Sequence, residues 1–249
     1  MSIGENMEIL DRYDTTFFEK SMAALSISLE KKQICQFLTY YEILTEWNSF
    51  MNLTAITDFS EVVRKHFIDS LLVLKCLDFQ NEMSLIDVGT GAGFPGIPLK
   101  IMVPHLRITL LDSLQKRITF LEEVINKLEL TDIEAIHGRA EDFAKSGKLR
   151  EKYDFCVSRA VSNLSTLSEY CIPFVKVGGI FVAYKSDKIE EELKSADKAF
   201  SLLGGFLKEK VNLILPGSKE KRCILLIEKR KKTPMKFPRK AGVPAKEPI

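Results

Sequence analysis

The sequence predicts an α/β protein: a doubly wound, mostly parallel sheet finished by an antiparallel hairpin edge and preceded by a helical cap. From residue 84 onward, short apolar strands alternate with helix-length segments at the pitch of parallel βαβ units. The last two strand-like runs, 206–215 and 222–229, are joined by residues 216–221 alone, too short a link for a parallel crossover. Residues 1–77 carry only helical periodicity.

Each element follows from its local pattern. Residues 30–51 place Ile34, Phe37, Leu38, Tyr41 and Leu44 at helical spacing, with the lone tryptophan, Trp47, one turn on as a core residue. Residues 52–57 break that pattern. Asp58 with Glu61 three residues later resembles a capping box, and Val63, Phe67, Leu71 and Leu74 form the stripe of the helix it opens. Strands are predicted at 84–88, 107–112, 133–137, 153–158 and 179–185, with helices at 97–103, 116–130, 164–175 and 190–203 and a short one near 141–144. Beyond residue 230, Pro234, Pro238, Pro244 and Pro248 interleave with basic residues, which predicts an extended, weakly ordered tail. The chain thus divides into a cap (1–77), a sheet domain (78–230) and a basic tail (231–249).

Bulk properties exclude several classes. At 249 residues, with 45% hydrophobic and 28% charged side chains, the chain is long enough for one large globular core. Residues 229–249 hold eight bases against one acid, which leaves 28 basic and 33 acidic side chains elsewhere. A mildly acidic body with a basic end suits either a local polyanionic partner or a solvated terminus. Five scattered cysteines and three distant histidines give no disulfide framework and no metal-ligand spacing, so no metal is expected. The polar, acidic start has neither the basic nor the apolar region of a signal peptide, and no apolar run approaches a membrane span. A cytoplasmic protein with no membrane partner is expected.

The most informative stretch is 84–99, SLIDVGTGAGFPGIPL. An apolar strand ends on Asp87 and opens into Gly89, Gly91, Gly93 and Gly96 before a helix, a cradle for a nucleotide-like cofactor. Residues 91–96 match the dinucleotide fingerprint G-x-G-x-x-G literally. Three features oppose a pyrophosphate there. Asp87 suits an ammonium better than a phosphate, Pro95 offers no N–H, and the antiparallel edge is the class I S-adenosylmethionine methyltransferase variant of the Rossmann plan. Asp112, ending the second strand, is placed to bond ribose hydroxyls, or is simply a helix N-terminal acid. Ala140, Glu141 and Asp142 follow the third strand, either around the adenine or in a solvated turn. S-adenosylmethionine is the expected cofactor.

For the methyl acceptor, residues 158–161 (SRAV) after the fourth strand lack the Asn/Asp-Pro-Pro-aromatic element of exocyclic-amine methylation, and no cysteine follows a proline as in pyrimidine C5 methylation. An acceptor that is already nucleophilic remains. The ordered set 52–54 (NLT), 66–71 (HFIDSL), 87–99 (DVGTGAGFPGIPL), 111–117 (LDSLQKR), 138–141 (GRAE) and 158–160 (SRA) resembles the RsmG (GidB) family over about residues 30–230. Those enzymes methylate the N7 of a guanine in 16S ribosomal RNA, and one branch carries a similar proline-basic extension.

The resemblance implies that Gly89 and Phe94 contact the methyl donor, Ala140 and Glu141 flank its adenine, and Arg159 lies at the transfer face. Lys185 matches a basic residue at the end of the fifth strand, with Ser186 where the family often has glycine. Asp87, Gly91, Gly93 and Asp112 complete the expected donor site, and Asn52, Arg64, His66 and Lys185 the expected RNA side. Several of these have plainer readings. His66, Asp69 and Ser70 would equally tie the cap to the core, Asn52 would close a turn, and Arg64, Lys65, Lys116 and Arg117 would be solvated. The implied partner is 16S rRNA or the small ribosomal subunit, and no oligomer is required. Two other functions stay open: a methyltransferase of small molecules or proteins, and a non-catalytic nucleotide-binding or ribosome-assembly factor.

Overall fold

A computed structural model describes residues 3–145, 147–159, 162–187 and 189–249, the side chains of residues 3–7 excepted. The cap consists of α1 (Ile3–Arg12), α2 (Thr16–Ala24), α3 (Lys31–Met51) and α4 (Phe59–Val62). α4 runs into a π-helical turn (Val63–Ile68), a helical turn α5 (Asp69–Leu71) and a 3-10 turn (Leu72–Lys75). At the start of α4 Asp58 caps the Glu61 N–H at 3.0 Å, but the Glu61 carboxylate turns to Lys65 and Arg64 rather than back to Asp58. The expected reciprocal box is therefore half formed.

The sheet follows as β1 (Ser84–Val88), α6 (Gly96–Met102), β2 (Arg107–Asp112), α7 (Gln115–Lys127), β3 (Ile133–His137), α8 (Ala140–Lys145) and β4 (Tyr153–Ser158). It continues through α9 (Leu164–Cys171), β5 (Val175–Ser186), α10 (Glu190–Leu203), β6 (Gly205–Ile214) and β7 (Lys221–Lys229). The strand order is β3-β2-β1-β4-β5-β7-β6. Every pairing from β3 to β5 is parallel, and β7 runs antiparallel to both β5 and β6. The helix expected to reach residue 175 ends at Cys171, because Pro173 cannot donate the next helical bond, and β5 starts four residues earlier than its apolar pattern.

Alternating strand residues face two cores. On one face Leu85, Leu110 and Leu226 meet α6, α7 and the cap through Phe37, Tyr40, Phe67 and Phe120, so cap and sheet share one apolar interior. Trp47 joins it edge-on to Phe120, as expected. On the other face Ile86, Phe181 and Ile227 pack under α9 and α10.

The tail departs from expectation. Phe237 is buried in the second core, α11 (Val243–Lys246) follows, and Arg150 donates to the carbonyls of Thr233 (2.6 Å) and Phe237 (2.8 Å). Composition suggested a solvated chain. One apolar anchor and a set of inward hydrogen bonds hold it against the body instead. Among the described residues no helix is long and apolar enough to cross a membrane, and the cysteines are free thiols.

Candidate functional site

The glycine turn after β1 is held by two carboxylates. Asp87, fully buried, accepts from the Thr90 hydroxyl (2.7 Å) and the Gly96 N–H (2.9 Å) through one oxygen, while its Oδ1 meets no donor. Burial outweighs these bonds and pushes the Asp87 carboxyl up to about 7. Asp112, at the end of β2, accepts from the Gly91 N–H at 2.9 Å and pairs with Arg117 at 3.1 Å. Gly91 and Gly93 sit at φ +62° and +95°, conformations that only glycine adopts without strain.

Above this turn, at the carboxyl ends of the parallel strands, lies a cavity of about 310 Å³. Gly89, Asp112 and Arg117 line one side, and Ala140, Glu141, Leu167 and Tyr170 the other. A nucleoside needs acceptors for its ribose hydroxyls and a narrow apolar slot for its base. The Asp112 carboxylate and the Leu111, Ala140 and Leu167 side chains provide that combination, so these residues fit S-adenosylmethionine. Gly91 is the cavity's buttress, bonded to Asp112, rather than part of its lining. Gly93 and Phe94 turn away from it: a Cβ on Gly93 would meet Ile97 Cδ1 at 2.6 Å and the Tyr40 hydroxyl at 2.7 Å. Phe94 is buried between Tyr40 and His66. Glu141 is also tied elsewhere, accepting from the Gly242 N–H of the tail at 3.0 Å.

A second cavity, about 720 Å³, opens between cap and sheet. Ser162 lines both, so the two adjoin just past β4. Ala160 and Val161 of the SRAV stretch lie outside the described residues. Four bases line the larger cavity (Lys65, Arg159, Lys185, Arg222) against the acids Asp69 and Glu192. Asp69, carried in by the helical run after the π turn, binds Arg159 from the end of β4 at 3.0 Å and Arg222 from the start of β7 at 2.7 Å. Three distant segments thus converge on one carboxylate. Arg159 also lies over the Phe94 ring and reaches the carbonyls of Lys65 (3.3 Å) and His66 (3.4 Å).

His66 stacks on Phe94 with centroids 4.5 Å apart and meets the Thr54 hydroxyl through Nε2 at 2.9 Å. Burial, then the Arg159 charge, lowers its pKa to about 4, so the ring is neutral near pH 7. The π-helical stretch rotates His66 and Asp69 onto the cavity side. Lys185 lines this cavity, bonded to Glu192 and the Ser162 carbonyl, each at 2.6 Å.

Two expected RNA-side residues lie apart from it. Asn52 ends α3 in the left-handed conformation (φ 50°, ψ 55°), exposed, and lines neither cavity. It sits at the chain reversal after α3, where the side chain that bonds across the turn, to the Thr54 N–H, is that of Asn48. Arg64 pairs with Glu61 and touches the Gly217 carbonyl at 3.5 Å, also outside both linings. Arg222, Glu192 and Tyr170, conversely, were not singled out from the sequence. None sits in a motif, and only the pairing of β5 with β7 brings Arg222 beside Ser186.

Known proteins resemble this chain in sequence and in fold. The family model described as rRNA small subunit methyltransferase G, GidB, matches residues 33–227. A protein of Lachnoclostridium phytofermentans bearing the name ribosomal RNA small subunit methyltransferase G is 51% identical over 236 residues, covering 95% of this chain and 98% of that protein. One of the same name from Alkaliphilus oremlandii is 53% identical over 225 residues, covering 90% and 94%. Among solved structures, a SAM-dependent methyltransferase from Aquifex aeolicus aligns with a TM-score of 0.52 at 19% identity, over 71% of this chain and 96% of that one. At that identity the likeness shows a shared fold. With the family model covering most of its length and relatives matching it almost end to end, the chain belongs to the rRNA small subunit methyltransferase G (GidB) family.

Proposed function

We propose that this protein is an S-adenosylmethionine-dependent methyltransferase that acts on the N7 of a guanine in 16S ribosomal RNA. The observation that carries this reading beyond family membership is the adjoining pair of cavities. A nucleoside-sized pocket at the strand ends adjoins, at Ser162, a larger one rimmed by four basic side chains. The first takes the donor and the second a base with its flanking phosphates.

The donor, once bound, supplies an electrophilic methyl on a sulfonium sulfur. In the residues' roles, Asp112 would receive the ribose hydroxyls, Ala140 and Glu141 would flank the adenine, and Asp87 would hold the turn near the methionine end. Guanine N7 presents an in-plane lone pair and no proton, so the acceptor needs no general base. Among the described lining residues, Asp69 and Glu192 are committed to ion pairs and the buried His66 is a weak base, which fits that chemistry. Catalysis is then chiefly alignment of N7, methyl and sulfur, an effect that can supply roughly 7–11 kcal/mol.

A lone cation beside a ring that gains positive charge would oppose the transfer. Here Asp69 balances Arg159, and the His66 ring stays neutral, which limits that opposition. Arg159 and Arg222 are set to hold a phosphate or the donor's carboxylate, with Asp69 fixing their directions. The target guanine must be unstacked or displayed on a loop to enter. Both cavities are lined by residues of one chain, and an rRNA substrate is consistent with a cytoplasmic protein.

Labelled methyl donor offered with naked 16S rRNA, assembled small subunits and a metabolite extract tests the reading. Label should enter RNA and release as 7-methylguanine on digestion. Label confined to metabolites or protein would replace the RNA reading with the small-molecule or protein alternative.

A further inference from the structure

We propose that the C-terminal segment 233–249 is a positioning element of the donor cavity, clamping α8 to α9 and so fixing the wall against which the adenine lies. The inference rests on that cavity being the methyl donor's. The wall comes from two helices: Ala140 and Glu141 from α8, Leu167 and Tyr170 from α9. α8 is only six residues long and depends on contacts outside itself to hold a fixed position.

The tail grips both helices. On α9, Glu169 is fully buried between Leu167 and Tyr170 in sequence, and Arg239 answers its charge with its backbone N–H at 2.7 Å, Nε at 3.0 Å and Nη2 at 2.7 Å. One turn earlier the Thr166 hydroxyl donates to the Pro244 carbonyl at 2.9 Å. On α8, Glu141 accepts the Gly242 N–H at 3.0 Å. Gly242 lies three residues past Arg239 and two before Pro244, so one short stretch spans both helices. Phe237 in the second core and Arg150 on the Phe237 carbonyl anchor it from the other side.

These contacts give the tail a structural role whatever its exposed lysines meet: Lys236, Lys240 and Lys246 face outward, whereas Arg239 spends its charge on Glu169 and the backbone of residues 242–244 faces the cavity helices. Arg239 is therefore a positioning residue acting through Glu169, and Thr166 a second such residue.

The test uses the full chain, with S-adenosylhomocysteine binding followed by calorimetry and small-subunit binding followed by filter retention. Arg239→Ala should weaken S-adenosylhomocysteine binding at least tenfold and Thr166→Val about threefold, with Arg239→Lys in between. Subunit affinity should stay within twofold. In turnover, KM for the donor should rise while kcat holds. If Arg239→Ala does not fold, Thr166→Val and Arg239→Lys carry the test. Folded variants with wild-type affinity for S-adenosylhomocysteine overturn the clamp, as does subunit affinity falling while that for S-adenosylhomocysteine holds. Failure of the unaltered protein to bind S-adenosylhomocysteine would instead overturn the reading of the cavity itself.

Discussion

The two cavities are walled by different materials. Beneath the donor cavity the supporting structure is backbone: a glycine turn whose N–H groups end on Asp87 and Asp112, with Gly89 alone of its glycines reaching the lining. Around the acceptor cavity it is long charged side chains from the cap, β4 and β7, drawn together on Asp69. A wall of backbone is sensitive to added atoms. A wall of ion pairs is sensitive to lost charge balance.

The sharpest way to break that contrast is Asp69→Ala. It takes a carboxylate from two mostly enclosed guanidinium groups, 15% exposed in Arg159 and 22% in Arg222, leaving Arg159 on the Lys65 and His66 carbonyls and Arg222 on Glu220 at 2.9 Å. Removing one partner of an enclosed ion pair costs about 3–5 kcal/mol. Urea unfolding of Asp69→Ala should show a loss of that order. A loss under about 1 kcal/mol would mean the cluster behaves like an exposed pair and does not organise the cavity.

The cavities should also respond to pH in opposite directions. His66 has its folded pKa lowered to about 4 from 6.5, so between those values the unfolded chain binds more protons and His66 makes stability rise with pH. Asp87 has its carboxyl raised to about 7 from 3.8, so the folded chain holds the extra proton and stability falls as pH rises through that window. Across their windows His66 contributes up to about 3 kcal/mol and Asp87 up to about 4 kcal/mol, opposite in sign, so they largely offset each other in the parent protein. His66→Gln should expose the Asp87 slope, with stability falling from pH 4 to 7, and Asp87→Asn the reverse. Denaturation midpoints across that range check both. Two variants with the same slope would refute the opposition.

How much of this was legible in the chain follows the same divide. The donor cavity is written in contiguous residues: a strand ending at Asp87, glycines at fixed offsets, Asp112 and Ala140–Glu141 at the next strand ends. All seven strands and their hairpin edge followed from short apolar runs between helix-length segments and from loop length, which are local properties. Arg222 and Glu192 could not be reached that way. Their place beside Asp69 and Lys185 depends on β7 pairing antiparallel with β5 and on α10 packing back, which local spacing does not encode. The π turn at Val63–Ile68 was hidden because its apolar stripe still reads as helix. The tail was misjudged because proline and lysine content masks one buried Phe237 and one arginine whose partner lies 70 residues away.

Within the glycine turn a smaller effect separates two neighbours. A Cβ at Gly91 meets no protein atom within 4 Å, so the stability cost of Gly91→Ala is backbone strain at φ +62°, about 1–2 kcal/mol. The intrusion on a bound donor expected of Gly91→Val is read separately, by S-adenosylhomocysteine affinity. Gly93→Ala adds a clash with Ile97 and Tyr40 to strain at φ +95°, so it should cost about 1–3 kcal/mol beyond that. Comparing Gly91→Ala with Gly93→Ala by thermal melting sharpens the claim. Equal losses would show that strain alone governs the turn.

The smallest expected effect concerns Asn52, where the turn and RNA roles diverge cleanly. Its backbone is left-handed at the end of α3, a position glycine fills without penalty. The following turn is held by Asn48, whose side chain accepts the Thr54 N–H at 2.8 Å, and Thr54 in turn meets His66. Asn52 thus supports the acceptor cavity only by letting the chain reverse into Thr54. Asn52→Gly preserves that reversal and should change stability by a few tenths of a kcal/mol, with methyl transfer to rRNA unaltered. Asn52→Val, which resists the left-handed conformation, should lose more stability and, through Thr54 and His66, some activity. A tenfold loss of turnover in Asn52→Gly at an unchanged melting temperature would show instead that the side chain itself meets the RNA, and would extend the acceptor surface beyond its cavity onto the end of the cap.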